Sequence, residues 1–372
     1  EVLQSDFLTQ GPTIKKFEDK VSEYCGSSHA FALNSATSAL HVACLALDIG
    51  PGDLVWTSPI TFVASANCAL YCDAIVDFVD INLKTYNIDV LKLEEKLELA
   101  EASGNLPKCV IPVHLAGRSC EMKAIYDLSK KYGFKIIEDA SHAVGASYKK
   151  TPVGSCRYSD ITVFSFHPVK IITSGEGGMA LTNNQSLAMK MATLRSHGVV
   201  RDESLMTDIA HGPWYYEQLD LGFNYRMTDI SAALGLSQLS NLSKFVEQRN
   251  FLADRYDELL ADSPFVLPSR DNDSLSSFHL YIVRVEGSNP RSSHKIIFNK
   301  LRSSGIGVNL HYIPIYKHPY YRKFDFNQDL YPAAELYYES AISIPLFPGL
   351  TSEEQEFIVK TLHTPPGYQN IF

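Results

Sequence analysis

Lys170 stands in a polar turn between an apolar run, Ile161–Phe166, and the Gly-rich stretch Thr173-Ser-Gly-Glu-Gly-Gly178. A loop lysine is ordinarily a solvated charge. One held between an apolar strand and a tight turn is expected to be recessed. Desolvation lowers an ammonium pKa until the amine can act as nucleophile or base. Asp139 closes another apolar run, Lys135-Ile-Ile-Glu-Asp139. On its own it reads best as a helix N-cap. Its pairing with Lys170 on nearby strand ends is more informative than either residue alone.

Two further turns carry suitable groups. In Leu33-Asn-Ser-Ala36-Thr37-Ser38-Ala39 a strand runs into a helix. Free amides at that helix start, with hydroxyls beside them, suit a phosphate, and a plain Ser/Thr cap explains them equally well. In Ser58-Pro-Ile-Thr-Phe62 an aromatic follows a strand, where a core Phe is the commoner reading. No GxGxxG follows the first strand, and Walker A and HExxH motifs are absent. An amine, a carboxylate, a phosphate cradle and a stacking ring are together what pyridoxal 5′-phosphate needs. The amine forms a Schiff base with its aldehyde, and the carboxylate keeps its pyridine nitrogen protonated, so that the ring can take up carbanion charge.

The surrounding elements must bring these turns together. Apolar runs at His29–Leu33, Leu54–Thr57, Ile75–Val79, Cys109–Val113, Lys135–Glu138, Ile161–Phe166 and Met179–Thr182 read as strands. Amphipathic stretches Thr13–Tyr24, Ala36–Leu47, Thr61–Tyr71, Val90–Ala102, Met122–Tyr132 and Gln185–His197 read as helices. The alternation predicts an α/β fold with a mainly parallel seven-stranded sheet covered on both faces, its chemistry at the carboxyl ends of the strands. A long helical pattern follows over 228–262, then a loop over 263–277. After these come strand Leu280–Val285, helix Ser293–Ser303, strand Val308–Tyr312 and helix Ser352–Leu362, the last opened by a Thr351/Glu354 capping box. This divides the chain into a large α/β domain at 12–240 and a small C-terminal α+β domain at 241–372, with residues 1–11 as an N-terminal segment near the site.

Composition narrows the class. The 372 residues carry 33 Lys+Arg against 42 Asp+Glu, a net charge of −9, which argues against a nucleic-acid partner. No apolar run approaches the ~18 residues of a membrane helix. Seven cysteines (25, 44, 68, 72, 109, 120, 156) form no CxxC, so neither a disulfide framework nor a metal ribbon is indicated, and reduced thiols in a cytoplasm fit best. The chain opens at Glu1, and Glu1-Val2-Leu3 reads as the tail of a helix, so a preceding segment is expected.

The stretches NSATSAL, SPITFVASAN, IPVHLAG, IIEDASHAVGA, VFSFHPVK, GEGGMALTN, LRSHG and LGFNYRMTDISAALGLSQL resemble the DegT/DnrJ/EryC/StrS family of nucleotide-sugar aminotransferases, of pyridoxal phosphate fold type I, over essentially the whole chain. PWYYEQ and VNLHYIPIY are most similar to the branch that aminates C4 of a UDP-linked 4-keto-6-deoxy-N-acetyl-hexosamine on the route to pseudaminic acid. Other 4-keto or 3-keto nucleotide sugars, UDP- or dTDP-linked, and a sugar dehydratase on the same fold are the alternatives. In the dehydratase branch the lysine is replaced, commonly by His.

The resemblance implies that Lys170 carries the cofactor and shuttles protons, and that Asp139 pairs with the pyridine nitrogen. It places Ser165 with Ala36, Thr37 and Ser38 on the phosphate, and Phe62 over the ring. His142 stands where many members have Gln near the cofactor's phenolic oxygen. Asn224, with Arg226 close by, would reach into the site of a second subunit of a homodimer with shared active sites. Asp6, Phe7, Leu8 and Thr9, with Asn309, Leu310, His311 and Tyr312, would hold the sugar nucleotide; Ala36, Ser165, Asn224 and Arg226 would also touch it. Trp214, Tyr215 and Tyr216 read as stacking or packing residues, and His114, His167 and His197 as structural. L-glutamate is the implied donor and pyridoxamine 5′-phosphate the intermediate form of the cofactor. No metal is implied.

Overall fold

The computed structural model describes residues 1–287 and 289–363; the last nine positions of the expected small domain lie outside the described residues. Seven strands form the main sheet: β1 (His29–Leu33), β2 (Leu54–Thr57), β3 (Ile75–Phe78), β4 (Cys109–Ile111), β5 (Lys135–Asp139), β6 (Ile161–Ser165) and β7 (Gly178–Thr182). They lie in the order β1-β7-β6-β5-β4-β2-β3. Strands β3, β2, β4, β5 and β6 are mutually parallel, and β7 runs antiparallel to both of its neighbours. The connection from β6 to β7 explains this reversal. Residues 166–177 contain no helix, and a parallel return needs a crossover of a dozen or more residues, usually helical.

Helices α1 (Pro12–Cys25), α2 (Ala36–Ala46), α3 (Ala64–Leu70), α4 (Val90–Ser103), α5 (Met122–Tyr132) and α6 (Gln185–Leu194) cover the sheet. Helix α2 is the most buried of these, with only small or apolar groups from Ala39 to Ala46 apart from His41. Its close seating is visible at Gly178, where an added Cβ would come within 2.4–2.5 Å of the Ser35 carbonyl and the Ala36 nitrogen. The start of β7 therefore presses directly on the start of α2.

The expected helix over 228–262 is two helices, α7 (Asp229–Leu239) and α8 (Leu242–Leu259), broken at Ser240-Asn241. Leu242 and Val246 of α8 join the core beside β7, whereas Leu252, Ala253 and Tyr256 join the core of a second sheet. That sheet is β8 (Phe265–Val266), β9 (Tyr281–Val285) and β10 (Ala341–Ile344), antiparallel with β9 central. Around it lie α9 (Pro290–Ser303), α10 (Pro332–Ser340) and α11 (Ser352–His363). The capping box is present: Thr351 N–H donates to Glu354 Oε2 at 2.8 Å and Glu354 N–H to Thr351 Oγ1 at 3.2 Å. Asp80, beyond β3, accepts the amides of Ala333 and Ala334 at 2.9 Å each, so the main sheet caps α10.

Two expectations need correction. Residues 263–277 are not wholly loop, because β8 and the short strand Ser274–Leu275 lie within them. Val308–Tyr312 is not a strand. Only Asn309 bridges to Ser343, and its side chain turns back to accept the Leu310 amide at 2.8 Å. Its apolar-polar alternation mimics a strand because Val308 packs in the small core while Leu310 and Tyr312 face elsewhere.

Candidate active site

At the carboxyl edge of the main sheet a cavity of about 670 Å³ opens between the β1–α2 turn, the turn before α3, the ends of β5 and β6, and residues 309–312. Strands β5 and β6 are adjacent and parallel, with Asp139 opposite Val163. The register thus delivers Asp139 and the turn bearing Lys170 to one place. Ala36, Thr37, Ser38, Phe62, Asp139, His142, Ser165, Lys170, Asn309, Leu310, His311 and Tyr312 all line the cavity.

Lys170 is half-buried, and its amine makes no hydrogen bond or ion pair among the described residues. Burial lowers its pKa to about 8, against the opposing pull of the Asp139 charge. Three imidazoles surround it as neutral groups. Burial, and then the Lys170 charge, holds His142 and His279 well below the usual histidine range and pushes His311 down to about 4. Asp139 is 4% exposed. Its Oδ1 accepts the Ser141 amide at 3.1 Å and its Oδ2 accepts the Ser65 hydroxyl at 2.6 Å.

The phosphate-type donors converge opposite. Ser35 caps α2 by accepting the Ser38 amide at 3.1 Å, which leaves the first helical amides, Ala36 and Thr37, without intrahelical partners. Ser165 lies opposite Gly178 in the β6–β7 ladder, the same glycine that presses on Ser35 and Ala36. Close approach at one glycine thus gathers amides and hydroxyls into one corner. An unpartnered amine, a buried carboxylate and a donor-lined corner at a helix start fit the chemistry of pyridoxal phosphate.

Phe62 is 58% exposed at the cavity wall, its ring centroid 6.0 Å from that of Tyr312. The remaining expected residues are not brought to this cavity within one chain. Thr9 bridges to Thr228 and the Leu8 carbonyl accepts the Asp229 amide at 3.0 Å, so residues 6–9 sit against the start of α7, with Phe7 and Leu8 about half exposed. Val2–Gln4 form a single 3-10 turn. Asn224 bridges to Ser196, and Arg226 bridges to Leu33 while its Nη1 donates to Ser196 Oγ at 3.0 Å. Trp214 and Tyr216 are exposed away from the cavity. His114 is fully buried against Glu138 at 2.8 Å, a packing role. His167 lines the cavity, 3.8 Å from Glu176. Sequence reasoning gave no role to Asn34, Ser141 and Glu176, which also line the site, nor to Ser65, which touches Asp139. The spacing of Thr61 and Ser65, one helical turn apart, was the available signal for the last.

The fold and this site define an aminotransferase that uses pyridoxal phosphate. The chain belongs to the DegT/DnrJ/EryC1/StrS aminotransferase family, whose profile matches residues 1–363. It is 38% identical to the UDP-4-amino-4,6-dideoxy-N-acetyl-beta-L-altrosamine transaminase of Campylobacter jejuni over 97% of this chain and 92% of that protein. Helicobacter pylori PseC, described as an aminotransferase involved in the biosynthesis of pseudoaminic acid, superposes with a TM-score of 0.87 at 33% identity, covering 97% of this chain and 93% of that one. Spr1654 of Streptococcus pneumoniae in its PLP-form superposes with a TM-score of 0.86 at 31% identity, again over 97% and 93%. The expected class, a nucleotide-sugar aminotransferase with a mainly parallel central sheet, therefore stands. Among the described residues no helix is long and apolar enough to cross a membrane, no His/Cys/Asp/Glu group could hold a metal, and all seven cysteines are free and buried.

Proposed function

We propose that the chain moves an amino group from L-glutamate to C4 of a UDP-linked 4-keto-6-deoxy-N-acetyl-hexosamine, on the route to pseudaminic acid. The observation that carries the amine-transfer chemistry is the desolvated, unpartnered Lys170 amine facing the same cavity as Asp139. The acceptor rests on likeness to the Campylobacter and Helicobacter enzymes.

Bound pyridoxal phosphate supplies an aldehyde that exchanges one amine for another and a ring that accepts the electron pair left when a C–H bond breaks. Ala36, Thr37, Ser38 and Ser165 would hold its phosphate, Phe62 would cover its ring and His142 would stand by its ring oxygen. Asp139 would hold a proton on its ring nitrogen. Lys170 Nζ takes the proton from Cα of glutamate in the first half-reaction and delivers one to C4 of the sugar in the second. An amine with a pKa near 8 can do both, because it gives and takes protons near neutral pH. The neutral imidazoles around it do not compete for that proton.

In this proposal the cofactor sits in the large domain of residues 12–240 and the sugar nucleotide is held from the small domain by Asn309–Tyr312. Asp6–Thr9 also hold the sugar nucleotide, and Asn224 and Arg226 enter from the second subunit of a homodimer. The enzyme works in the cytoplasm, where buried free thiols stay reduced. Borohydride reduction of the holoenzyme followed by peptide mapping should place the label on Lys170. A panel of 4-keto nucleotide sugars with glutamate, read by NMR of the product, should single out the UDP-N-acetyl sugar. A label elsewhere removes the lysine assignment; preference for a dTDP sugar removes the acceptor.

A further inference from the structure

Ser65 Oγ is fully buried and has three neighbours: Asp139 Oδ2 at 2.6 Å, Thr61 Oγ1 at 2.8 Å and the Phe62 carbonyl at 3.4 Å. It has one proton to give. An ionised carboxylate only accepts, and 2.6 Å is the length of a charge-assisted O–H···O bond. The Ser65 proton therefore points at Asp139, and Thr61 must donate to Ser65. Thr61 is 2% exposed and itself lines the cavity. The result is a directed relay, Thr61 to Ser65 to Asp139, ending on Oδ2 of the carboxylate.

We infer that Ser65, backed by Thr61, is a positioning residue for Asp139: it fixes the carboxylate's orientation at the cofactor's ring. This rests on the reading of Asp139 as the ring's partner. Without Ser65 the carboxylate would keep only the Ser141 amide among the hydrogen bonds seen here. A carboxylate held by one donor is free to rotate about that bond, and a rotated Asp139 could not hold a proton on the ring nitrogen.

The test begins with cofactor-free protein carrying ¹³C at aspartate carboxyls, Asp139 being assigned by the signal lost in Asp139→Asn. In Ser65→Ala the Asp139 carboxyl signal should shift at fixed pH, because the carboxylate has lost a short hydroxyl donor. In Thr61→Val, which keeps shape and removes the upstream donor, it should shift the same way by less. An unmoved signal in Ser65→Ala overturns the inference. In the loaded enzyme, the first half-reaction of Ser65→Ala should slow about tenfold or more while the KM for glutamate stays within about threefold. Placed in the Asp139→Asn background, Ser65→Ala should slow it no further. A loss that persists there shows Ser65 acting elsewhere and also overturns the inference. Should Asp139→Asn alone leave the rate intact, the ring-partner reading fails, while the Asp139 carboxyl signal still decides whether Ser65 governs Asp139.

Discussion

His142 Nε2 lies 3.1 Å from the Tyr312 hydroxyl and joins the end of β5 to the segment leading from the small sheet. The Ala116 amide donates to His142 Nδ1 at 3.3 Å, so the proton must sit on Nε2 and Tyr312 must accept it. The imidazole is buried, with the His279 ring at 4.3 Å. Burial and the Lys170 charge hold its pKa well below the usual range. ¹⁵N NMR of the cofactor-free protein should therefore show a fixed Nε2–H tautomer with no titration between pH 5 and 8. His142→Gln, which can accept from Ala116 and donate to Tyr312, should stay within about tenfold of wild-type kcat/KM, whereas His142→Ala leaves the Ala116 amide unmet and should lose more.

Lys170 links function to stability through the sign of its shift. Its native pKa, about 8, lies below the ordinary 10.5, so the unfolded chain binds more protons between those values. The buried charge thus costs stability in full below pH 8, and the cost disappears as pH rises towards 10.5. In cofactor-free protein Lys170→Met should melt higher than wild type at pH 7, with the gap closing by pH 10.5, while turnover is abolished. Calorimetry of both proteins across that range checks the sign; a gap that widens with pH refutes it.

Gly178 gives a test of the donor corner that touches no proposed ligand. A Cβ there would meet the Ser35–Ala36 peptide at 2.4–2.5 Å, and those atoms are backbone. Overpacking of that kind typically costs about 1–3 kcal/mol and is relieved by shifting the element in the way. The element is the start of α2. Gly178→Ala should weaken pyridoxal phosphate binding about tenfold or more by equilibrium dialysis, and inorganic phosphate should compete with the cofactor less effectively in the variant than in wild type.

Most of the main sheet could be read from the chain because its strands are short, apolar and separated by amphipathic helices; β1 and β2 fall at their expected bounds. Lys170, Asp139 and the β1–α2 turn could be found because strand ends in such sheets carry the chemistry. What escaped was whatever depended on partners distant in sequence. Helix α10 and strand β10 gave no local signal, since α10 is capped by Asp80, its Tyr337 packs against Tyr86 and its Glu335 accepts the Tyr316 hydroxyl, all partners distant in sequence. Ser65 was missed for the same reason: a serine on a helix is unremarkable until a carboxylate 74 positions away is found against it.

Asn224 and Arg226 do not line the cavity of their own chain, and among the described residues Arg226 Nε is buried without a hydrogen-bond partner. Ile230 and Leu234 on α7 and Leu219 and Leu221 before it are large apolar side chains left exposed nearby. A second copy packed over this region would cover them and carry Asn224 to the partner's site, which is the arrangement proposed above. Subunit complementation tests it without any structure of the dimer. Lys170→Ala and Asn224→Ala chains should each be nearly inactive alone, since every site lacks one group. Refolded together in equal amounts, half of the dimers are mixed, and each mixed dimer regains one complete site if Asn224 acts across the interface. Activity should return to about a quarter of wild type. If Asn224 served its own chain's cavity, a mixed dimer would hold one site lacking the lysine and another lacking the asparagine, and no activity would return.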